Sequence, residues 1–186
     1  MPPLRALRIA LLSAITTVAA SAFAAEPLYV ARDVVPDGVF TAGIEGPAFG
    51  PDGALYAVSF GRDGTIGRVA FDTDGNGSAE LFATLPEGST GNGIRFGADG
   101  GMFIADYTGH NILRIAPGQR DAQVFAHLPG AHQPNDIALA PDGTLYASDP
   151  DWANGSGQLW RIDAGGTPHL LETGMGTTNG IEVSPD

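Results

Sequence analysis

The amino-acid sequence predicts an all-β fold of the β-propeller type, and three observations lead to this prediction. A nine-residue pattern that ends in Asp-Gly occurs three times, and a fourth copy begins near the end of the 186-residue chain. The copies start at intervals of 47, 43 and 44 residues, at Glu45, Asn92, Asn135 and Asn179. Each full copy is followed by further short apolar runs separated by turn residues. Repeats of this length are typical of propeller blades, in which each repeat forms one four-stranded sheet.

Four short runs in each repeat predict four antiparallel strands. The runs are rich in Ile, Val, Leu, Phe and Tyr and are bounded by Gly, Asn and Asp, as strands joined by tight turns are. The second runs follow the Asp-Gly turn and cover residues 54–58, 101–105 and 144–148. The third runs share one Arg at the same place, at Arg68, Arg114 and Arg161. The fourth runs cover residues 79–85, 122–128 and 168–173.

The repeat boundaries divide the chain into three blades and part of another. We expect the blades at about 41–87, 88–130 and 131–175, and the start of a fourth at 176–186. Propellers close into a ring of roughly four to eight blades, so residues 25–186 are expected to be the first part of a longer propeller. Residues 28–35 precede the first repeat and predict one more strand, of the kind that completes the last blade of a closed ring.

The first 24 residues predict a secretory signal peptide. Arg5 and Arg8 precede an apolar run at residues 9–20, and Ala22-Phe23-Ala24 has the small-x-small form of a cleavage site. A membrane anchor is the alternative, but the apolar run is shorter than the ~20 residues that span a bilayer. The mature protein, residues 25–186, is therefore expected in the periplasm or outside the cell.

Charge restricts the partners that the mature chain can have. All nine basic residues are Arg, and the net charge is −12 at pH 7. Loss of Arg5 and Arg8 with the acid-free signal peptide takes the net charge to −14. Such a surface repels phosphate backbones and anionic lipids, so neither nucleic acid nor a membrane is an expected partner. We expect a monomer that binds a cation or a small neutral molecule. The chain has no Cys, so disulfides do not stabilise the fold.

The first position of the repeated pattern is the candidate functional site. The first strand of each blade lines the channel of a propeller, so Glu45, Asn92, Asn135 and Asn179 should converge on one axis. Asn before Gly or Asp also forms turns by itself, which is the structural alternative for the three Asn residues. Glu45 has no such turn preference. One carboxylate with amide oxygens is a set of hard ligands that suits Ca²⁺.

Three short motifs carry a resemblance to a known family. Glu45-Gly46-Pro47, Pro134-Asn135-Asp136 and Thr178-Asn179-Gly180-Ile181 resemble the gluconolactonases, regucalcin (senescence marker protein) and luciferin-regenerating enzyme. The related diisopropyl fluorophosphatase shares the pattern, and the resemblance covers residues 41–186. It implies a six-bladed β-propeller that holds a divalent metal, usually calcium, through one Glu, two Asn and one Asp. The matching residues are Glu45, Asn135 and Asn179, and the Asp is expected beyond residue 186.

The resemblance implies a calcium-dependent hydrolase of a small lactone or ester. The metal would polarise the carbonyl at the channel mouth. The expected catalytic residue is the Asp beyond residue 186, so the catalytic residue within this chain is unknown. Asn92, Gln133 and His132 are the candidate substrate-binding residues. Gln133 stands where some sugar-lactone members have Arg, which leaves the sugar specificity open. His132 is either a proton carrier or a loop residue without a role.

Two further functions stay open at this stage. One is a non-catalytic propeller that binds a ligand or a protein at the channel mouth, and the other is a phosphotriesterase-like hydrolase on the same scaffold. The segment from Ala105 to Arg114 also resembles strictosidine synthase-like and other repeat propellers, which supports the fold more than the chemistry.

Two loops have both a plain and a functional interpretation. Residues 72–78 resemble the front half of a calcium loop, but the twelfth position, where such a loop needs Glu, is Ala83. The alternative is a Gly- and Asn-rich hairpin turn. Residues 149–158 form a longer loop with Trp152, either a surface connection or a cover over the channel mouth.

Overall fold

A computed structural model describes residues 29–184, and every regular element in that range is a β-strand. Of the described residues, 33–184 belong to one compact unit that contains all the strands, and residues 29–32 belong to another. The prediction of an all-β fold is confirmed. Residues 29–184 contain no helix long and apolar enough to cross a membrane. The predicted signal peptide lies outside the described residues.

Twelve strands form three antiparallel sheets of four consecutive strands each. Sheet 1 contains β1 (Ala48–Phe49), β2 (Leu55–Val58), β3 (Thr65–Phe71) and β4 (Gly77–Thr84). Sheet 2 contains β5 (Gly91–Phe96), β6 (Met102–Asp106), β7 (Asn111–Ile115) and β8 (Ala122–His127). Sheet 3 contains β9 (Ile137–Leu139), β10 (Leu145–Asp149), β11 (Gln158–Ile162) and β12 (Pro168–Glu172). One repeat therefore forms one sheet, as the repeat pattern predicts.

The strand predicted at residues 28–35 is wrong. Residues 29–35 contain no strand, and one backbone hydrogen bond, from the N–H of Gly77 to the carbonyl oxygen of Val34 at 3.0 Å, ties Val34 to sheet 1. A strand is stabilised by its ladder of hydrogen bonds. No second segment within residues 29–184 forms such a ladder with this stretch.

Two hydrophobic clusters fill the spaces between consecutive sheets. The first joins sheet 1 to sheet 2 and includes Ile66 and Leu113, whereas the second joins sheet 2 to sheet 3 and includes Ile112 and Ile137. All four side chains are fully buried. Ile112 and Leu113 are neighbours in β7 and enter different clusters, because successive side chains of a strand point to opposite faces. Sheet 2 is thus covered on both faces, as a blade inside a propeller is.

The structure explains the Arg that recurs in the third strand of each repeat. In sheet 1, Arg68 forms an ion pair of 2.7 Å with Asp52 of the turn between β1 and β2. In sheet 2, Arg114 pairs with Asp99 of the equivalent turn at 2.5 Å. Arg161 of sheet 3 pairs instead with Asp163 at 3.2 Å. Each of the first two pairs ties the turn between the first and second strands of a sheet to its third strand.

Candidate functional site

The structure brings the four aligned residues of the repeats to one cavity. One cavity of ≈ 250 Å³ within residues 33–184, which we call the rim cavity, is lined by Glu45, Asn92, Asn135 and Asn179. Glu45 precedes β1, Asn92 lies in β5, and Asn135 precedes β9. The first strands of the three sheets therefore bring together side chains that are far apart in sequence. Their role as ligands of a metal or substrate stays a prediction.

A glycine after each of the first two aligned residues allows this convergence. Gly46 has φ +55°, and a Cβ atom there would lie 1.9 Å from the carbonyl oxygen of Asn92. Gly93 donates its backbone N–H to the carbonyl oxygen of Asn135 at 2.7 Å. A Cβ atom on Gly93 would lie 2.4 Å from Oδ1 of Asp136. The backbones of neighbouring repeats thus approach so closely that no side chain fits between them.

The four polar side chains have no hydrogen-bond partner within the part of the chain that the structure describes. Asn135 is only 7% exposed, Asn92 is half-buried, and Glu45 and Asn179 are exposed. A buried amide without a partner costs free energy relative to one bound by water or a ligand. The polar atoms of Asn135 are therefore available to whatever occupies the cavity.

Sequence reasoning missed a pair of charged residues in the same cavity. Arg95 and Asp136 both line it, with 3.2 Å between Nη2 of Arg95 and Oδ2 of Asp136. The same carboxylate oxygen accepts the backbone N–H of Ile181 at 3.2 Å, and Arg95 also lies 3.7 Å from Glu182. The signal was present in the repeat, because Asp136 occupies a position where the other three copies have Gly.

The ion pair changes the electrostatics of the cavity. A free Arg95 would repel a cation from the cavity by Coulomb interaction. Asp136 and Glu182 lie within ion-pair distance of this guanidinium and compensate its charge. Glu45 has no ion-pair partner within residues 29–184, so its negative charge adds to the excess of negative charge around Arg95.

The two other predicted substrate residues lie elsewhere. His132 and Gln133 line a separate cavity of ≈ 530 Å³, together with Tyr107, His110 and Trp152. The structure therefore does not place them beside Asn92. Their role in substrate binding stays a prediction.

A buried carboxylate fixes the segment that connects the two cavities. Asp149, at the end of β10, is fully buried and accepts the backbone N–H groups of His132 at 2.9 Å and Gln133 at 2.5 Å. Its Oδ2 also accepts the indole N–H of Trp160 at 3.1 Å. The backbone N–H of Asn135 is bonded to the carbonyl oxygen of Ser148 at 2.8 Å. The backbone at Asn135 is thus fixed by its own hydrogen bond to Ser148 and by the bonds of His132 and Gln133 to Asp149.

Sheet 2 repeats this arrangement at the end of β6. Asp106 is fully buried and accepts the hydroxyl of Ser89 at 2.8 Å and the backbone N–H of Thr90 at 3.1 Å. Thr90 stands two residues before Asn92, just as Gln133 stands two residues before Asn135. The sequence signal for these two buried carboxylates was an Asp directly after the second apolar run, at Asp106 and Asp149.

The donor chemistry of the first cavity fits calcium better than a transition metal. Within residues 29–184, no group of three or more His, Cys, Asp or Glu side chains is placed to hold a metal ion. The cavity offers instead one free carboxylate and three amide groups. Carbonyl and carboxylate oxygens are the ligands of Ca²⁺, whereas transition metals favour imidazole and thiolate. The residues present therefore fit part of a calcium site.

The loop at residues 72–78 is closed by its own side chain. Oδ1 of Asp72 accepts the backbone N–H groups of Asp74 and Asn76, each at 2.9 Å, and Oδ2 accepts the side-chain amide of Asn76 at 3.0 Å. The amide hydrogen bond from Asn76 is the main cause that lowers the pKa of Asp72 below its usual value. Both carboxylate oxygens are used inside the loop, which favours the hairpin turn over a calcium loop.

The chain is similar to known proteins that contain β-propellers. A family model for the N-terminal part of strictosidine synthase-like proteins matches residues 121–162. No match was found among curated protein sequences. Virginiamycin B lyase from Staphylococcus aureus superposes with a TM-score of 0.54 and 21% identity, over 69% of this chain and 40% of the lyase.

Two other solved structures are similar to the same degree. A gluconolactonase from Xanthomonas campestris gives a TM-score of 0.52 and 19% identity, over 70% of this chain and 47% of that one. Regucalcin from Agrobacterium tumefaciens, described as a calcium-binding protein, gives a TM-score of 0.55 and 17% identity, over 74% of this chain and 45% of regucalcin. At these identities the likeness shows the fold. The chain spans less than half the length of each of these three proteins.

Proposed function

We propose that this protein is a calcium-dependent hydrolase that opens a small lactone or cleaves a related ester. The observation that carries the proposal is the cavity shared by Glu45, Asn92, Asn135 and Asn179, whose side chains have no hydrogen-bond partner within residues 29–184. Four repeats contribute the same position to one site, and three of the four residues are amides. Turn formation does not explain Glu45 or the burial of Asn135.

Glu45, Asn135 and Asn179 would hold the metal. Glu45 supplies the formal charge, and the two amide oxygens fill coordination positions without further charge. A bound calcium ion supplies Lewis acidity for the scissile carbonyl. The family resemblance implies a second carboxylate from a later repeat of the complete protein, and we assign to it the activation of water. That residue is expected beyond residue 186.

Asn92 and the paired Arg95 would act on the substrate. The amide of Asn92 lines the cavity and can donate a hydrogen bond to the ring or carbonyl oxygen of a lactone. Arg95 is held by Asp136 and Glu182, so it contributes a fixed wall with compensated charge. A neutral ester, which carries no anionic group to be attracted or repelled, suits such a cavity.

Comparison with solved structures supports this proposal at the level of the scaffold. Proteins named gluconolactonase and regucalcin share the fold, and the second of these is described as calcium-binding. A lyase shares it too, so the fold alone does not select one reaction. We further propose export through the signal peptide at residues 1–24 and a monomeric protein with a small-molecule substrate.

Chelation of calcium tests the proposed function. The complete protein is assayed on a panel of sugar and aliphatic lactones before and after treatment with EGTA, and then after calcium is restored. We expect hydrolysis to fall by at least tenfold on chelation and to return with calcium. Hydrolysis that is unchanged by chelation overturns the metal-dependent mechanism. Calcium binding without hydrolysis of any lactone, ester or phosphotriester would favour the non-catalytic binding propeller.

A further inference from the structure

The cavity of ≈ 530 Å³ beside the rim site is built from three loops. Tyr107 and His110 come from the connection between β6 and β7, and His132 comes from the segment before β9. Trp152 comes from the connection between β10 and β11. Four planar side chains from two repeats therefore face one space, and nothing in the proposed hydrolysis uses them.

Hydrogen bonds to buried carboxylates hold two of the three walls. Asp149 fixes the backbone of His132, as described above. Asp151 is 6% exposed and accepts the backbone N–H groups of Ala153 at 3.1 Å and Asn154 at 3.0 Å, together with the hydroxyl of Ser156. The loop that carries Trp152 is thus closed on itself, yet Trp152 is 50% exposed. A large apolar side chain presented on a fixed loop is typical of a binding surface.

Backbone hydrogen bonds hold the third wall. His110 has φ +56°, in the left-handed region in which Asn, Asp and His are the most frequent residues after Gly. Its N–H donates to the carbonyl oxygen of Asp106 at 3.0 Å, and its own carbonyl oxygen accepts the N–H of Leu128 at 2.9 Å. Tyr107 is bonded through its N–H to the carbonyl oxygen of Thr90 at 2.8 Å. The third wall is thus fixed by backbone hydrogen bonds within the second repeat.

The chemistry of the lining selects an uncharged ligand. Among residues 29–184, Asp151 is the only Asp, Glu, Lys or Arg that lines this cavity. The hydrogen bond from Ser156 is the main cause that lowers the pKa of Asp151 to about 2, and its oxygens are occupied within the loop. No guanidinium or ammonium group of the described residues lines the cavity to attract a carboxylate or phosphate group. Flat aromatic surfaces with one amide, that of Gln133, suit a ring that can stack and accept a hydrogen bond.

We propose that this cavity is a subsite for an uncharged ring of the substrate, aromatic or pyranose, that stacks one face on Trp152. Gln133 lines this cavity and Asn135 lines the rim cavity, and two residues of extended chain span at most about 7 Å. The proposed substrate is an ester or lactone with a ring substituent, whose carbonyl group occupies the rim cavity and whose ring occupies this one. This inference rests on the proposed function, because it assumes that the rim cavity binds the carbonyl group of the same substrate.

Ring binding is tested without turnover. The indole N–H signal of Trp152 is followed by NMR in the complete protein during titration with benzyl alcohol, methyl β-glucoside and 1-butanol. A saturable shift with benzyl alcohol or the glucoside, and none with 1-butanol, supports the subsite and identifies the kind of ring. Equal shifts with 1-butanol, or no shift with any of the three probes, overturn it. This readout needs neither metal nor hydrolysis.

Substrate selection is tested by replacing the tryptophan. The measured quantity is kcat/KM for γ-phenyl-γ-butyrolactone divided by that for γ-butyrolactone. Trp152→Ala should lower this ratio about tenfold, and Trp152→Phe should restore most of it, because stacking needs an aromatic face. Phe49→Ala, which removes another exposed aromatic ring outside both cavities, is the matched control. An unchanged ratio in Trp152→Ala overturns the subsite, whereas hydrolysis of neither lactone by the wild type overturns only the proposed function.

Discussion

The backbone N–H of Gly93 donates a hydrogen bond of 2.7 Å to the carbonyl oxygen of Asn135, and this bond joins the second repeat to the third at the rim of the polar cavity. A Cβ atom on Gly93 would lie 2.8 Å from the Cα atom of Asp136 and 3.0 Å from that carbonyl oxygen. Both neighbours are backbone atoms, so they cannot move aside as the end of a side chain could. The second repeat therefore requires Gly at position 93 for packing and not for a turn.

Gly93→Ala should consequently destabilise the protein. We expect a loss of about 1–3 kcal/mol in the free energy of unfolding, the usual range for an overpacked site. Urea denaturation of the complete protein measures this. Gly165→Ala is the matched control, because no atom lies within 4 Å of a Cβ there and its φ is not positive. Equal stabilities of the two variants would contradict the packing argument.

Local sequence signals were sufficient to predict the strands. The run predicted at residues 54–58 forms β2 (Leu55–Val58), and the run at 101–105 forms β6 (Met102–Asp106). Apolar runs and Asp-Gly turns are properties of a few consecutive residues, so the sequence displays them directly. The stretch at residues 28–35 has the same composition as a strand, but strand formation depends on a partner that composition does not reveal.

The site was predictable only where the repeats agree. The aligned residues Asn92 and Asn135 were found because a repeat places equivalent positions around one axis. Arg95 and Asp136 stand at different positions of two different repeats, so alignment gives no reason to pair them. Gln133 is only two residues from Asn135, yet it lines another cavity because Asp149 fixes the direction of the backbone between them.

Asp149→Asn should both destabilise the protein and weaken calcium binding. An Asn at this place can accept with only one of its two side-chain groups, so buried N–H groups of Gln133 or Trp160 lose a partner. Such a loss costs about 1–3 kcal/mol. Urea denaturation checks the stability, and calorimetric titration with calcium checks the affinity. Asp121→Asn, at an exposed position without a hydrogen-bond or ion-pair partner among residues 29–184, is the charge-matched control.

A second variant separates positioning from stability. Asp106→Asn disturbs the equivalent anchor before Asn92, which we do not assign as a metal ligand. We expect its stability to fall by a similar amount while calcium affinity changes less than in Asp149→Asn. If both variants lose the same affinity, the anchors act through global stability and not through the placement of Asn135.

The loop that carries Trp152 should be resistant to acid. The pKa of Asp151 is lowered from 3.8 to about 2 by hydrogen bonds from Ser156 and Asn154. A carboxyl group with a lowered pKa stabilises the folded loop fully above pH 3.8 and loses this contribution as the pH falls towards 2. The NMR signal of the Trp152 indole should therefore show a transition below pH 4 that depends on the carboxylate of Asp151.

Replacement of the carboxylate provides the comparison. Asp151→Asn removes the titrating group, so the Trp152 signal of this variant should differ from the wild type at neutral pH and show no transition between pH 3.8 and about 2. Asp121→Asn should behave as the wild type does. A transition between pH 3.8 and about 2 that persists in Asp151→Asn would contradict the role of Asp151.

The last prediction concerns the division of roles in the rim cavity. Glu45→Gln keeps the size of the side chain and removes its charge, so calcium affinity should fall by at least tenfold in calorimetric titration of the complete protein. Asn92→Ala should lower that affinity by less than threefold and raise KM for lactones instead, because we assign Asn92 to the substrate.

Glu87→Gln is the matched control for the charge, since Glu87 is exposed, lines neither cavity and has no ion pair within residues 29–184. It changes the net charge of the protein by the same amount as Glu45→Gln does. Long-range attraction of calcium by the acidic surface would weaken binding equally in both variants, and screening by salt would remove the difference from the wild type. Direct coordination predicts instead that only Glu45→Gln loses affinity and that the loss persists in 0.5 M KCl. Equal losses for Glu45→Gln and Asn92→Ala would show that the four aligned residues do not divide into metal and substrate ligands.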